Sequence, residues 1–498
     1  MILRGELNAP PVLALSHCRC RCRMSASCNT AGQGSAITAT NLTDSETTPG
    51  LLPAPRIIGR AEHGISRQSI SQSCLKVLYG LIESGYEAYI VGGGVRDLLL
   101  GMKPKDFDIA TNATPEQIRS VFRNSRIIGR RFRIVHVHFG REIIEVSTFR
   151  AHSHENVTFV EDDTLTRDEA RLDAVKSASG MILRDNVYGT IEEDVQRRDF
   201  TVNALYYTVK NFVVHDYVDG MADIDRRCLR MIGDPVQRYR EDPVRVLRAI
   251  RLAAKLDFSI TPDTEAPLPE CAKLLESIPP ARLFDEFMKL FLAGNSLATF
   301  RLLQHHNVFR HLFPDTADAM DTDPDQYGKL LEAAFASTDG RLAEGKTVTP
   351  VFLLAVLLWP SVRLHLKVVG DSLGSIAELQ EAGQIAIERQ LQRISIPKRI
   401  SFPVREIWEL QFRFTERRGK RAEGLLSHKR FRAAFDFLLL REQSGEDLQG
   451  LGQWWEAFQQ AEPDQRSALQ QGLQPPSSTH AKSRRRKVKS RRPKATPT

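Results

Sequence analysis

Two aspartates pose the chemical question. In Lys105-Asp106-Phe107-Asp108-Ile109 the carboxylates stand at i and i+2 of a strand-like segment, so Asp106 and Asp108 share one face while Phe107 turns to the core. Neighbouring anions repel each other unless a cation lies between them, and hard oxygen ligands suit Mg²⁺. A lone Asp-x-Asp is most often a solvated strand end, but its surroundings here reverse that reading. Upstream, Tyr89-Ile-Val-Gly92-Gly93-Gly94-Val95-Arg96-Asp97 leads from a strand through three glycines into a helix, a turn whose backbone amides can approach phosphate closely. Downstream, a strand over 142–148 offers Glu145 as a third carboxylate. Asp106, Asp108 and Glu145 are the candidate metal ligands. Around two divalent ions such a trio serves phosphoryl transfer, one ion activating a hydroxyl and the other clamping a triphosphate.

Hydrophobic period locates the elements that must hold these groups. It predicts a helix over 68–84, a strand over 88–91, a helix over 95–100, a strand over 106–110, a helix over 114–122 and strands over 134–139 and 142–148. Beyond about residue 208 the texture is long and helical, with stretches at 242–256, 281–293, 299–308, 350–359, 376–394 and 431–442. The chain therefore reads as α+β, a mixed sheet with helices followed by all-α domains. Its expected divisions are a disordered leader 1–62, a catalytic head 63–207, a helical neck 208–300, a helical body 301–470 and a disordered basic tail 471–498. Between residues 149 and 181 the acidic run around Glu161-Asp162-Asp163 reads as an irregular loop.

Several motifs tie this pattern to a family. The GG-x-VRD run at Gly92–Asp97 and Asp106-Phe-Asp108-Ile-Ala-Thr resemble the class II branch of the polymerase-beta-type nucleotidyltransferases, which contains CCA-adding enzymes and bacterial poly(A) polymerases. The similarity runs from about Gln68 to Trp455. Arg197-Arg198-Asp199-Phe-Thr-Val-Asn203-Ala204 is similar to the family's RRDF motif, which joins head to neck. The resemblance makes Asp199 a catalytic residue beside Asp106 and Asp108. It also makes Gly92, Gly93, Val95, Arg96, Arg150, Arg198 and Asn203 nucleotide-binding.

Arg240-Glu241-Asp242-Pro243-Val-Arg245 resembles the family's nucleotide-selecting EDxxR motif. The spacing of three places Asp242 and Arg245 on one side of a helix, where a carboxylate can accept from adenine N6 and a guanidinium can donate to N1. Asp242 as a plain helix cap before Pro243 is the bland alternative. Arg248, Arg251 and Lys255 follow at helical spacing and read as facing phosphates, against the alternative of a solvated basic face.

Within the branch, Gly129-Arg130-Arg131-Phe132-Arg133 resembles the GRRFR signature of bacterial poly(A) polymerases, which makes Arg130, Arg131 and Arg133 RNA-binding. His136 reads as packed in its strand, and Trp454 and Trp455 as core. The implied activity is template-independent polyadenylation of RNA 3′ ends with ATP as substrate and Mg²⁺ as cofactor. CCA addition to tRNA is one alternative, and a non-catalytic RNA-binding protein is another. The implied partners are ATP and RNA, chiefly mRNA and also tRNA. Contact with RNA-degradation machinery rests on the resemblance alone.

Charge and composition fit this reading. The formal charge is +8, yet residues 476–498 alone carry nine Lys or Arg and no acid, leaving 8 − 9 = −1 for the rest. That tail, with Arg484, Arg485, Arg486 and Lys487 at its centre, is a solvated polyelectrolyte suited to phosphate backbone. No apolar run reaches membrane-spanning length. The seven cysteines form no disulfide pattern, and four of them crowd into Cys18–Cys28, so a reducing cytoplasm is expected.

Overall fold

The strands read from alternating residues belong to one sheet. The computed structural model describes residues 52–129, 133–151, 158–160, 174–177, 182–366 and 373–472. The sequence reading of the leader before residue 52 and of the tail after residue 472 lies outside these residues. In chain order the strands of the head are β1 (Arg56–Ile58), β2 (Ala88–Val91), β3 (Asp108–Thr111), β4 (Ser125–Ile128), β5 (Ile134–Phe139), β6 (Glu142–Thr148), β7 (Thr158–Val160), β8 (Ala174–Ser177), β9 (Ile182–Asp185), β10 (Leu205–Thr208) and β11 (Val213–Asp216). Eight of them form a mixed sheet in the order β1-β11-β10-β2-β3-β6-β5-β4.

Both faces of this sheet are covered, which explains why β2 is buried at every position. Ile90, Ile109, Ile144 and Val146 pack with Cys74, Val77, Leu78 and Leu81 of the helix Gln72–Glu83. Ser71 caps that helix by accepting from the Cys74 N–H at 3.1 Å, a contact of about 1 kcal/mol. The alternate residues Tyr89, Val91 and Ala110 form a smaller cluster with Phe149, Ile191, Val195 and Tyr206 on the opposite face.

The sheet is larger than sequence period indicates. β11 lies beyond residue 207, where the head was expected to end, and β1 comes from the expected leader. β1 buries only Ile58, so it offers no alternation to read and exists by pairing with β11. Within and just beyond the stretch expected as an irregular loop, β7, β8 and β9 form a separate three-stranded sheet, and the acidic run Glu161-Asp162-Asp163 lies outside the described residues. β3 begins at Asp108, so Asp106 precedes the strand.

From residue 235 the described chain is mainly helical. The neck is built from Pro235–Glu241, Val244–Leu256 and Pro280–Phe291, and Ser296–His305 packs against the second of these. The body core is set by indoles. Trp408 Nε1 donates to the Ala355 carbonyl at 2.8 Å, and Trp455 Nε1 to that of Phe414 at 2.9 Å. Trp455 is core, as read from sequence, while Trp454 is half-buried with Arg417 over its ring.

Candidate active site

Sheet register assembles the acidic edge. Asp108, the first residue of β3, pairs with Val91 of β2 on one side and with Glu145 of parallel β6 on the other. Val91 leads directly into Gly92, whose backbone at φ 67°, ψ −139° is open to glycine and strained for any other residue. A Cβ placed there would lie 4.0 Å from Asp108 Oδ2 and 3.8 Å from an Arg198 nitrogen, so the glycine bend, the carboxylate and the guanidinium meet at one point.

Asp106, Asp108 and Glu145 are exposed, while Phe107 is buried, as the alternation requires. Although Asp108 reaches solvent, the protein around it is dense. Desolvation, then the charges of Glu145 and Asp106, outweigh Arg198 and Arg248 and push its carboxyl up to about 6. The three carboxylates are not drawn together to the 4.8 Å spacing of a closed ligand set. His136 Nε2 stands 3.2 Å from Glu145 Oε1. His136 therefore meets the acidic edge, a contact that its reading as a packed strand residue missed. Hard oxygen donors, with the Asp108 carboxyl raised, fit a divalent cation.

Across the Gly92 bend the charge is positive and tightly held. Arg198 donates to the Tyr206 hydroxyl at 2.6 Å and to Asp194 at 3.1 Å, and the same hydroxyl donates to Asp194 at 2.6 Å. Burial works against the Arg198 charge, but Tyr206 and Asp194 outweigh it and hold the proton more firmly than in free arginine. Asp199 is engaged through both oxygens. Oδ1 accepts from the Phe200 N–H at 2.8 Å and from Asn203 at 3.0 Å, and Oδ2 accepts from Arg248 Nε at 2.7 Å. Burial alone would raise its carboxyl; Arg248, Asn203 and the Phe200 N–H pull it well below the usual range. The network continues from Asn203 to Arg96 at 2.6 Å, from Arg96 to Asp97 at 2.9 Å, and from Asp97 to Lys255 at 2.9 Å.

Beyond Arg198 lies a polar cleft of ≈ 510 Å³, lined by Arg197, Arg198, Asp199, Asp242, Val244, Arg245, Arg248, Arg282, Asp285, Glu286 and Lys289. Asp242 does not cap the following helix with its side chain. It takes a hydrogen bond from Arg282 at 2.9 Å, leaving Pro243 as the cap residue. Arg245 is buried and donates to the Arg238 carbonyl at 2.8 Å and to Glu241 at 3.2 Å.

Other sequence candidates fall differently. Val95 is fully buried in the head core, so only its backbone could meet a ligand, and Gly93 lies against Arg96. Arg96 and Asn203 are buried links of the network, and Lys255 is paired with Asp97 rather than facing an open phosphate site. Arg251 is part-buried, and no partner is found for its Nε among the described residues. Arg133 is paired with Glu116, and Arg150 donates to the Arg133 carbonyl at 3.2 Å. Arg130, Arg131, Arg484, Arg485, Arg486 and Lys487 lie outside the described residues. Sequence reading passed over Asp194, Tyr206, Arg238 and Asp97. Asp194 at four residues from Arg198, Arg238 at three from Glu241 and Asp97 next to Arg96 each left a local signal in the spacing.

A surface that calls for a cation at one end and presents guanidinium groups at the other suits a nucleoside triphosphate, and with this sheet and neck it defines a nucleotidyltransferase. Family models agree: residues 88–230 match the Poly A polymerase head domain, 257–320 the probable RNA and SrmB-binding site of polymerase A, and 372–492 the polymerase A arginine-rich C-terminus. Poly(A) polymerase I of Salmonella typhi is 47% identical over 88% of this chain and 94% of its own length. A CCA-adding enzyme of Lactobacillus gasseri is 35% identical over only 46% of the chain and 52% of its own length. The structure of a Thermotoga maritima CCA-adding enzyme with tRNA shares the fold, with a TM-score of 0.53 over 86% of this chain and 92% of that one at 20% identity. The chain belongs to the poly(A) polymerase family, and its activity is that of a polynucleotide adenylyltransferase. No helix among the described residues is long and apolar enough to cross a membrane.

Proposed function

We propose that the chain extends RNA 3′ ends by repeated AMP transfer from ATP, with Asp106, Asp108 and Glu145 holding Mg²⁺ and the neck cleft receiving the nucleotide. The observation that carries this reading is the register Val91–Asp108–Glu145, which sets a carboxyl of raised proton affinity beside the Gly92 bend. Bound divalent metal supplies charge neutralisation at the phosphoryl group and activation of the primer hydroxyl.

The chain's own groups orient the rest. Arg198, fixed by Tyr206 and Asp194, offers a permanent positive charge between the glycine bend and the cleft, where a triphosphate bridges the two. Asp199 acts through Arg248 as a positioning residue, because both its oxygens are already engaged. Asp242 and Arg245 line the same cleft, and their acceptor and donors match the N6 and N1 edge of adenine. The neck thus selects the nucleotide, the body and basic tail hold RNA, and a reducing cytoplasm suits the free Cys74, Cys228 and Cys271.

Purified chain with a short RNA primer, given ATP alone or CTP alone, tests the reading. Extension should follow ATP, and efficient CTP incorporation overturns it. If about six tail charges meet phosphates, deleting 476–498 should flatten the plot of log affinity against log salt by roughly 4 while short-primer chemistry survives. An unchanged slope removes the tail from RNA binding.

A further inference from the structure

Three metal-ligating side chains meet within the segment matched to the RNA and SrmB-binding description, apart from the residues of the adenylyl-transfer site. Glu265 ends the short helix Pro262–Glu265, His305 ends the helix Ser296–His305, and His306 follows it. One ligand atom from each of the three lies within 4.8 Å of the others, and no other such group of His, Cys, Asp or Glu occurs among the described residues.

The spacing fits an ion better than a proton. His306 Nε2 and Glu265 Oε1 are 3.6 Å apart, beyond a good hydrogen bond. Two ligands of a tetrahedral zinc ion, each at about 2.0–2.1 Å, stand about 3.4 Å from one another. Glu265 has no Lys or Arg ion-pair partner among the described residues, and the two imidazole rings lie 4.8 Å apart.

The backbone on both sides is already fixed. The Thr264 hydroxyl accepts from the Met231 N–H at 2.9 Å, and its carbonyl accepts from the Tyr239 hydroxyl at 3.0 Å. The His306 N–H donates to the Leu302 carbonyl at 3.1 Å, and the Val308 N–H to that of Leu303 at 2.8 Å. An ion here would meet a preorganised donor set, with His306 buried and His305 open to solvent.

We propose that Glu265, His305 and His306 bind one divalent transition ion of the zinc class, with water as fourth ligand, and that it clips the turn at 261–265 to the end of the helix Ser296–His305. Two imidazoles disfavour Mg²⁺, so this site is chemically distinct from the carboxylate edge. The test is Zn²⁺ titration of the chelator-stripped full chain in excess Mg²⁺, followed by calorimetry and thermal unfolding. Because the cysteines of the leader can take Zn²⁺ themselves, the readout is the difference between the parent and two variants. One is His305→Ala, at an exposed position that folding tolerates, and the other is Glu265→Gln. Each variant should lose one equivalent, or bind it at least roughly 100-fold more weakly, and should lose the Zn²⁺-dependent rise in thermal midpoint. Equal stoichiometry and affinity in the parent and both variants overturns the site. An equal rise produced by Mg²⁺ alone also overturns it.

Discussion

Asp106, Asp108 and Glu145 have no hydrogen bond or ion pair to any Arg or Lys among the described residues, whereas across the head–neck junction Asp199, Glu241 and Asp242 each rest on a guanidinium. The acidic edge concentrates like charge at an exposed strand end, and the fold raises the Asp108 carboxyl instead of relieving it. The cleft side pairs these acids internally, down to an Asp199 engaged through both oxygens, and keeps a surplus of guanidinium groups along the cleft. One region is completed by what it binds. The other is rigid beforehand, so that Arg198 and Arg248 need no reorganisation when an anion arrives. Charge removal should accordingly cost rate at the edge and stability at the junction.

The largest contrast is expected from Asp108→Asn. Loss of a charged metal ligand should lower the AMP-transfer rate at least about 10³-fold, roughly 4 kcal/mol of barrier. The thermal midpoint of the metal-free protein should hold or rise, because the fold disfavours the ionised carboxyl through desolvation and Glu145. A variant that unfolds more easily than its parent would place Asp108 in a structural ion pair and erase the distinction between the two regions.

Asp199→Asn probes the opposite side. Arg248 loses its charge partner, and since part of that side chain is open to solvent, the expected loss is about 2 kcal/mol, below that of a fully buried pair. The sign with pH follows from the depressed carboxyl. The stabilisation of the parent over the variant should be complete above about pH 5 and disappear as pH falls below about 4 toward the folded-state value. Urea unfolding at neutral and acid pH measures it, and a difference that grows on acidification contradicts the pairing.

The acidic edge was legible because it depends on local period. Phe107 is buried between exposed Asp106 and Asp108 as alternation requires, although β3 begins only at Asp108, and β6 spans 142–148 as read, which carries Glu145 to its side. The network that joins head and neck was legible only as a list of residue types. Asp242 and Arg245 have the right spacing, yet Asp242 finds Arg282 forty residues away, Arg96 finds Asn203 107 residues on, and Lys255 reaches back 158 residues to Asp97. Period cannot reveal such pairings, so charges read as facing phosphate proved to be partly committed to one another. β1 escaped for a related reason: it is the edge strand, with one buried residue, and its pairing with β11 rather than a repeating apolar pattern defines it.

The smallest and most discriminating change is Tyr206→Phe. The ring stays in the small core cluster with Tyr89 and Val195, so packing is preserved, and only the hydroxyl shared by Arg198 and Asp194 is removed. Loss of a buried hydroxyl between two charged partners should cost about 1–2 kcal/mol of stability. Arg198 keeps its 3.1 Å bond to Asp194 but loses the contact that fixes its angle toward the Gly92 bend. The KM for ATP should therefore rise about 3- to 10-fold with a smaller change in kcat, as expected for a group that positions the triphosphate equally in ground and transition states. A fall in kcat with KM unchanged would instead assign Arg198 to the charge that develops during transfer. The preorganised half of the site would then share in the chemistry now given to the acidic edge.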